Sequence, residues 1–212
     1  MVTPPPLNPR PGTLLADEIL ARGYTLDIAR CLERAWALYR SDFWMFLGVN
    51  AVSYFLVLLS KSTVVGLILV GPLFAGLLWF LLKRIRHEPA VFEDIFSGFK
   101  IDFVQTMLAG LVISILVALG LILCLAPGIY LAVAWAFTLP LIMDKRLPFW
   151  DAMEVSRRVV SRHWWNLFGL LLLTILINLV GALVCCVGIF ITLPLVTLAW
   201  MYAYEDVFGA PV

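Results

Sequence analysis

The residues best suited to bind an anion stand together in the stretch SRRVVSRHWWNLFG. Arg157, Arg158 and Arg162 carry guanidinium groups, whose planar array of N–H donors suits phosphate and carboxylate oxygens. Trp164 and Trp165 follow at once, and tryptophan favours the boundary between lipid headgroups and hydrocarbon. We interpret these five residues as a surface for anionic lipid headgroups or a partner protein, with plain attraction to headgroups slightly favoured over specific docking.

Residues that usually carry out catalysis are few and scattered. The two histidines, His87 and His163, stand in no cluster with metal-ligand spacing and beside no nucleophile. The sequence also has no glycine-rich phosphate-binding loop. This pattern predicts a protein that is not an enzyme and that needs no metal or cofactor.

The four cysteines leave one covalent alternative open. Cys124 and the adjacent Cys185 and Cys186 border apolar segments, near the face that we predict to be external, where a disulfide can form. Cys31 has no partner on its own side. The favoured interpretation is that these cysteines are small apolar side chains that pack between helices. A bond from Cys124 to Cys185 or to Cys186 is the alternative.

Polar and helix-bending residues inside the apolar segments indicate how helices could meet. Asn178 has the greatest need for a hydrogen-bond partner, and a bond between helices is favoured over a bond to a ligand. Pro72, Pro140 and Pro194 each lie inside an apolar segment, where proline kinks a helix. Such kinks could frame a cavity, but ordinary packing is favoured because proline is common in membrane helices.

Apolar helices must position all of these residues. Of 212 residues, 63% are hydrophobic and 14% are charged, and the mean hydropathy of +1.00 lies far outside the soluble range. The charged residues fall in blocks between runs long enough to cross a hydrocarbon core of about 30 Å. The sequence therefore predicts an all-α polytopic membrane protein with six transmembrane helices, at 43–60, 63–82, 103–124, 128–143, 164–184 and 187–204.

The connections between the apolar runs predict the arrangement and orientation of these helices. Connections at 60–63, 124–128 and 185–188 are short enough to predict three antiparallel hairpins. Of the 15 lysines and arginines, only Lys61 lies in a hairpin turn. The positive-inside rule therefore places the other basic residues and both termini in the cytoplasm, and the protein in the cytoplasmic (inner) membrane.

A segment with amphipathic helical spacing precedes each hairpin. Within 148–163, Met153 and Val160 share one apolar stripe, and the charged residues lie opposite. We expect this helix to lie in the headgroup layer, with its apolar face toward the bilayer and its basic face toward anionic lipid. The segments 26–42 and 89–102 have related patterns.

Each amphipathic segment with its hairpin forms one unit of a predicted repeat. The units are 26–83, 89–144 and 148–206, and the outer two align with an offset of 121 residues. Together the units form one six-span membrane domain at 25–208. Residues 1–24 begin MVTPPPLNPRPGT, and this proline-rich run predicts an extended cytoplasmic tether.

Three stretches of the sequence resemble a known group of proteins. AVAWAFTLPLIMDKRLPFWDAMEVSRRVVSRHWWNLFGLLLL, CCVGIFITLPL and YTLDIARCLERAWALYRSDFW are similar to a group of uncharacterised bacterial integral membrane proteins. Some of these carry a GYF-like domain ahead of the membrane part, and the membrane region of some glycerophosphodiester phosphodiesterases is more distantly similar. The resemblance covers about 24–208 and implies a six-helix bundle. It implies no catalytic residues, since these 212 residues contain neither a GYF-like module nor a phosphodiesterase domain.

Two functions are compatible with this pattern. The first is a non-enzymatic membrane protein that organises or assists partner proteins, which would meet charged faces on the cytoplasmic side. The alternative is a protein that binds or transports a lipid or small amphiphile, indicated by prolines that could kink the spans. The predicted spans contain no aspartate, glutamate, lysine, arginine or histidine, which disfavours proton-coupled or ion-coupled transport. Anionic lipids, a membrane-protein partner or a second copy are the expected contacts, and nucleic acid is not expected.

Overall fold

A computed structural model of the chain describes four stretches of residues, and helices fill most of them. The stretches are 12–24, 26–60, 64–183 and 187–209, excluding the side chains of residues 60, 64–68 and 187. Within these stretches there is no β-strand, so the prediction of an all-α protein is confirmed.

The helices of the described stretches range from one turn to six turns. In chain order they are α1 Gly12–Arg22, α2 Ile28–Ser41, α3 Phe43–Ser60, α4 Val64–Ile85, α5 Ser97–Lys100, α6 Phe103–Leu123, α7 Leu125–Ala134, α8 Thr138–Lys145, α9 Phe149–Arg162, α10 Trp164–Leu183 and α11 Val187–Phe208. A 3-10 helix at Phe92–Phe96 precedes α5.

Three of the sequence predictions concern residues that lie outside the described stretches. They are the proline-rich beginning of the tether, the first hairpin turn with Lys61, and the pair Cys185 and Cys186. The alternative disulfide therefore lies outside the described residues, although Cys124 itself is described and exposed.

Several helical segments are long and apolar enough to cross a membrane. Within the described part of the chain there are four: Phe103–Leu123, Leu125–Lys145, Trp164–Leu183 and Gly188–Phe208. A fifth is added if Ile28–Ser41 and Phe43–Leu59, which meet at a bend of 102°, are counted as one span. The protein is therefore a helical membrane protein with several spans.

The fourth predicted span is interrupted near its middle. Residues 135–137 separate α7 from α8, and Phe137 precedes α8 with φ −100° and ψ 7°. Pro140 is the third residue of α8, where its missing N–H costs no helical hydrogen bond. Pro140 therefore lies just after a break in the predicted span, whereas Pro72 and Pro194 lie inside α4 and α11.

The amphipathic segment of the second unit is also less regular than predicted. Instead of one helix over 89–102, the chain forms the 3-10 helix and the single turn α5. The carboxylate of Asp94 accepts a hydrogen bond from the backbone N–H of Val91 at 2.9 Å and pairs with the ammonium of Lys83 at 3.0 Å. These bonds stabilise a turn at the point where an α-helix was expected.

The three junctions between amphipathic segment and hairpin share one backbone conformation. Asp42 has φ −132° and ψ 47°, Asp102 has φ −145° and ψ 58°, and His163 has φ −126° and ψ 41°. The carbonyl of each accepts the first hydrogen bond of the helix that follows. The helix α9 also begins and ends 121 residues after α2, which is the offset between the outer units in the sequence.

The three units pack in a closed ring. The 3-10 helix and α5 pack on the preceding helix α4, and α9 packs on the preceding helix α8. The first unit completes the ring, because α2 packs on α11 of the last unit. An ion pair between Arg34 and Asp206 joins these two helices.

The apolar face of α9 is covered by protein, which corrects the expectation that it lies on lipid. Met153 and Val160 are 4% and 0% exposed, and α9 packs against α1 as well as α8. The hydroxyl of Tyr24, which follows α1, donates to the carbonyl of Val159 at 2.8 Å. The helix α1, within the segment assigned to the tether, thus covers α9 because it carries apolar residues of its own, including the buried Ile19.

Glycines allow α4 to approach its neighbours closely. A β-carbon on Gly71 would overlap the carbonyl oxygen of Thr106, and one on Gly110 would approach the α-carbon of Gly71 at 2.6 Å. A β-carbon on Gly76 would overlap the carbonyl oxygen of Ile95 in the 3-10 helix. These contacts hold α4 against the second unit at the separation that small residues permit between membrane helices.

Candidate functional site

One charged cluster draws its side chains from the ends of three helices. Arg86 follows α4, Asp144 lies in the last turn of α8, and Glu205 lies in the last turn of α11. The guanidinium of Arg86 donates to both carboxylate oxygens of Asp144 at 2.6 and 3.1 Å. It also donates to Glu205, from Nη2 at 2.9 Å and from Nε at 3.1 Å. The ends of three helices are thus joined by one guanidinium.

The charged cluster satisfies its own charges. Lys145 pairs with Asp144 at 3.2 Å, and the hydroxyl of Tyr204 donates to the same carboxylate at 2.8 Å. Burial alone would lower the pKa of Arg86, but hydrogen bonds to Asp144 and Glu205 outweigh burial and raise it above its ordinary value. Two cations and two carboxylates cancel, so the cluster connects the units and offers little unpaired charge to a partner.

An aromatic layer lies beside the charged cluster, around the break in the fourth span. Phe137 is 1% exposed, and its ring centroid lies 5.8 Å from Trp200, 5.8 Å from Tyr204 and 5.7 Å from Phe208. Tyr204 bonds to Asp144, so the layer is linked directly to the ion pairs. Because the helix is broken at 135–137, the side chain of Phe137 points in a direction that it would not have in an unbroken helix.

A half-open cavity adjoins the aromatic layer, and Phe137 and Trp200 line it. Its volume is about 310 Å³, which is within the range of small-molecule sites. Side chains from α3, α4, the α7–α8 break, α10 and α11 line it, among them Tyr54, Leu78, Phe137, Asn178, Thr197 and Trp200. The lining is mostly apolar, with a few polar groups that converge from three helices. Such a lining suits an apolar molecule with a small polar group.

Most polar groups of the cavity lining are already hydrogen-bonded to protein. The indole N–H of Trp200 donates to the hydroxyl of Thr174 at 3.1 Å. The hydroxyls of Tyr54 and Thr197 lie 3.2 Å apart, which joins α3 to α11. Asn178 accepts a bond at 2.9 Å from the hydroxyl of Thr192, which joins α10 to α11. These bonds hold the helices around the cavity and leave few free polar groups.

A second cavity adjoins the first. It has a volume of about 450 Å³ and lies between α4, α6, α7 and α8. Phe74 and Ala136 line both cavities, so the two meet at these side chains. Among the predicted kink sites, Pro140 lines the first cavity, while Pro72 and Pro194 lie next to the lining residues Gly71 and Leu193. The break in the fourth span is thus the wall between two apolar spaces.

The predicted anion-binding residues lie on the exposed face of α9 and partly neutralise one another. The carboxylate of Glu154 accepts two hydrogen bonds from Arg157, at 2.9 and 3.0 Å, and one from Arg158 at 2.6 Å. These bonds, chiefly those of Arg157, lower the pKa of Glu154 below its ordinary value. Arg162 is exposed and makes no ion pair within the described part of the chain.

The two tryptophans that follow α9 have different surroundings. Trp165 is 76% exposed, as expected for a side chain at a lipid boundary. Trp164 is partly buried, stacks on Phe168 with ring centroids 4.8 Å apart, and lies 6.1 Å from the ring of Tyr130. The structure therefore separates the pair into one outward side chain and one packing side chain.

No metal-binding group of three or more histidine, cysteine, aspartate or glutamate residues occurs among the residues that the structure describes. The thiol of Cys31 is buried and donates to the carboxylate of Asp206 at 3.3 Å, which also pairs with Arg34. This thiol therefore takes part in the contact between α2 and α11.

Comparison with known proteins adds relatives but no activity. An uncharacterised protein of Mycobacterium bovis and one of Mycobacterium tuberculosis are each 26% identical to this chain over 144 residues. The match covers 68% of this chain and 44% of each relative, so the chain spans less than half the length of the curated relatives it matches. No protein-family model matches the chain, and no solved structure does.

The central cavity and the charged cluster are the features that sequence reasoning missed. Asp144 and Glu205 stand at the ends of apolar runs, where they read as ordinary flanking charges. A signal was present in their placement, since Arg86 follows the first predicted unit, and Asp144 and Glu205 lie at the ends of the second and third units. The pattern identifies equivalent positions but does not show that all three side chains point to one centre.

Proposed function

We propose that this chain is a six-span membrane protein that binds an apolar or amphiphilic molecule in the cavity between its three units and catalyses no reaction on it. The observation that carries this proposal is the cavity of about 310 Å³, whose lining comes from all three units and is mostly apolar. A folded membrane protein gains contact energy by filling such a space, and a ligand with a hydrocarbon chain fills it at little desolvation cost.

The proposed topology places six spans in three hairpins with both termini in the cytoplasm. The basic residues support this orientation, because 14 of 15 fall outside the hairpin turns. Trp44 and Trp165 support the equivalence of the first and third units, since they occupy the second position of α3 and α10 and are 80% and 76% exposed. Exposed tryptophans at the beginnings of spans fit a boundary between headgroups and hydrocarbon.

Native mass spectrometry of the gently purified protein tests ligand binding in the cavity. We expect wild-type protein to retain a bound apolar molecule after most detergent and annular lipid has been removed. Ala136→Phe places a ring at the point where both cavities meet, and should reduce the occupied fraction about tenfold. The effect should be large because the added ring occupies cavity volume, and the ligand loses the contacts that it makes there.

A matched control places the same side chain elsewhere. Ala37→Phe adds a ring on the exposed side of α2, away from the cavity lining, and should leave occupancy unchanged. Both variants should be checked for folding by circular dichroism and thermal unfolding. Equal occupancy in wild type and a folded Ala136→Phe variant would contradict the proposal.

A second candidate function is the organisation of partner proteins at the cytoplasmic surface. The observation in its favour is the exposed face of α9, where Arg157, Arg158 and Arg162 stand together. Residues 24–208 resemble a group of membrane proteins, some of which carry a GYF-like domain. Such a domain would add a docking module, so the resemblance supports this second candidate function. Anionic headgroups compete for the same arginines, and a second copy of the chain is a further candidate partner.

Conversion of all three arginines to lysine separates docking from electrostatic attraction. Lysine keeps the charge but loses the planar array of donors. If the arginines bind a partner specifically, recovery of that partner in a mild-detergent pull-down should fall in the triple lysine variant. Unchanged recovery would exclude docking through these guanidinium groups and leave attraction to headgroups as their role.

A further inference from the structure

We infer that the central cavity selects a neutral molecule whose hydrocarbon chain carries a hydrogen-bond acceptor, such as a carbonyl oxygen, and that Asn178 binds this acceptor. The inference rests on the proposed function and names the chemistry of the ligand. It follows from an account of the hydrogen-bond donors on the side chains of the cavity lining.

The donors of Trp200 and Thr174 are committed to the protein. The indole N–H of Trp200 is its one donor, and it goes to the hydroxyl oxygen of Thr174 at 3.1 Å. The proton of Thr174 goes to the carbonyl of Leu170 at 2.7 Å. Neither side chain has a proton left for a ligand.

The donors of Tyr54 and Thr197 are also committed. The hydroxyl of Thr197 donates to the carbonyl of Leu193 at 2.7 Å. A hydroxyl has one proton, so the 3.2 Å contact between Tyr54 and Thr197 must use the proton of Tyr54. Neither hydroxyl can therefore donate a hydrogen bond to an acceptor on the ligand.

Asn178 is the exception. The hydroxyl of Thr192 lies 2.9 Å from the amide oxygen of Asn178 and 3.3 Å from the carbonyl oxygen of Ile189. Its one proton goes to the nearer acceptor, Asn178, which assigns the amide nitrogen to the other side of the group. This nitrogen carries two N–H donors, and it donates to no group within the described residues. An amide donor without a partner in an apolar space is unfavourable, and an acceptor on the ligand relieves this cost.

The lining also determines the charge of the ligand. Apart from the hydroxyl of Tyr54, the described side chains around the cavity include no ionisable group. A charged headgroup would lose its hydration without gaining a counter-ion, which is unfavourable. The cavity therefore favours a ketone, ester or quinone carbonyl on a hydrocarbon chain over a fatty acid or an amine.

The test uses two brominated probes of equal length, a long-chain methyl ketone and the corresponding alkane, each with bromine at the end of the chain. Bromine quenches tryptophan fluorescence on contact, and Trp200 lines the cavity. We expect both probes to quench wild-type protein, with the ketone binding about tenfold more tightly, which is the effect of about 1.4 kcal/mol. Trp200→Phe should remove the saturable part of the signal.

Two variants separate the donor from the contact between helices. Asn178→Leu removes the amide and should reduce ketone affinity about tenfold while leaving alkane affinity nearly unchanged. Thr192→Val removes the bond between α10 and α11 but keeps the amide of Asn178, so it should retain the preference for ketone. Loss of the preference in both variants would show that helix contact is the cause and would overturn the role of Asn178.

The remaining outcomes distinguish this inference from the proposed function. Equal affinity for ketone and alkane in wild type would overturn the inference and leave the cavity as an apolar binding site. Failure of both probes to quench Trp200 in folded protein would overturn the proposed function together with the inference. Tighter binding of a brominated fatty acid than of the ketone would overturn the requirement for a neutral ligand.

Discussion

The guanidinium of Arg86 holds the carboxylate of Asp144 through two hydrogen bonds, at 2.6 and 3.1 Å, although 58 residues separate them along the chain. The same guanidinium reaches Glu205, which lies 119 residues away. Because Arg86 follows α4 while Asp144 and Glu205 lie at the ends of α8 and α11, this cluster connects the ends of three helices. These helices also contribute to the cavity lining.

Removal of Arg86 should destabilise the protein strongly. Arg86→Met leaves Asp144, whose side chain is 6% exposed, with only Lys145 and Tyr204 as partners. Breaking a buried ion pair from one side costs about 3–5 kcal/mol, and we expect a lower thermal midpoint in detergent. Arg162→Met, at an exposed position, is the matched control and should unfold like wild type. A melting curve of Arg86→Met that coincides with the control contradicts a connecting role for the cluster.

Addition of one methyl group to Gly76 should disturb the contact between α4 and the second unit. Gly76→Ala places its β-carbon against the carbonyl oxygen of Ile95, so one helix must move. Overpacking of this kind costs about 1–3 kcal/mol. Gly48→Ala in α3 meets nothing within 4 Å and should leave stability unchanged or raise it slightly. Thermal unfolding of the two variants in the same detergent compares them, and equal midpoints would show that the α4 contact tolerates a side chain.

Acid should lower the stability of the protein by protonating Glu154 on the exposed face of α9. The pKa of this carboxyl is lowered in the folded protein from an ordinary value of 4.5, chiefly by hydrogen bonds from Arg157. Its contribution to stability is therefore complete above about pH 4.5 and is lost as the pH falls through the folded value. Since the pairs are partly exposed, the effect should be about 0.5–1 kcal/mol.

Glu154→Gln provides the comparison for this pH dependence. At neutral pH the variant should be slightly less stable than wild type in thermal or denaturant unfolding. The difference should disappear as Glu154 becomes protonated in wild type. A constant difference from neutral pH to pH 3, roughly the acid limit of such a titration, would mean that ionisation of Glu154 does not stabilise the fold.

Reporter fusions test the orientation of the spans. A cytoplasmic reporter fused after Val212 should be active, and a periplasmic reporter in the turn at 60–63 should be active as well, because of the distribution of basic residues. A periplasmic signal at the C-terminus would overturn the topology. It would also move the exposed arginines of α9 to the outer side of the membrane.

Much of the helical pattern could be predicted from the sequence, because it is local. The apolar runs identify the long helices, and the amphipathic stripe predicts α9, whose apolar residues are indeed buried. The junctions at Asp42, Asp102 and His163 follow from the change between amphipathic and apolar composition. These features depend on neighbouring residues, whose spacing the sequence states directly.

The contacts across the ring could not be predicted in the same way. An amphipathic stripe shows that one face of a helix is covered, but either lipid or protein can cover an apolar face. Met153 and Val160 are covered by protein. The sequence favoured a bond between helices for Asn178, but its partner Thr192, like the break before Pro140, depends on which helices meet. The cavity is likewise a property of packing between units, since its lining is collected from five separate parts of the chain.

The most direct test of the central claim is a crystal structure of the protein with the brominated methyl ketone, measured at a wavelength where bromine scatters anomalously. The account predicts one strong bromine peak inside the cavity, in contact with lining side chains such as Phe137 or Trp200, and the carbonyl oxygen within hydrogen-bond distance of the Asn178 amide nitrogen. Bromine found only on the outer surface of the helices, with the cavity filled by the protein's own side chains, would contradict it.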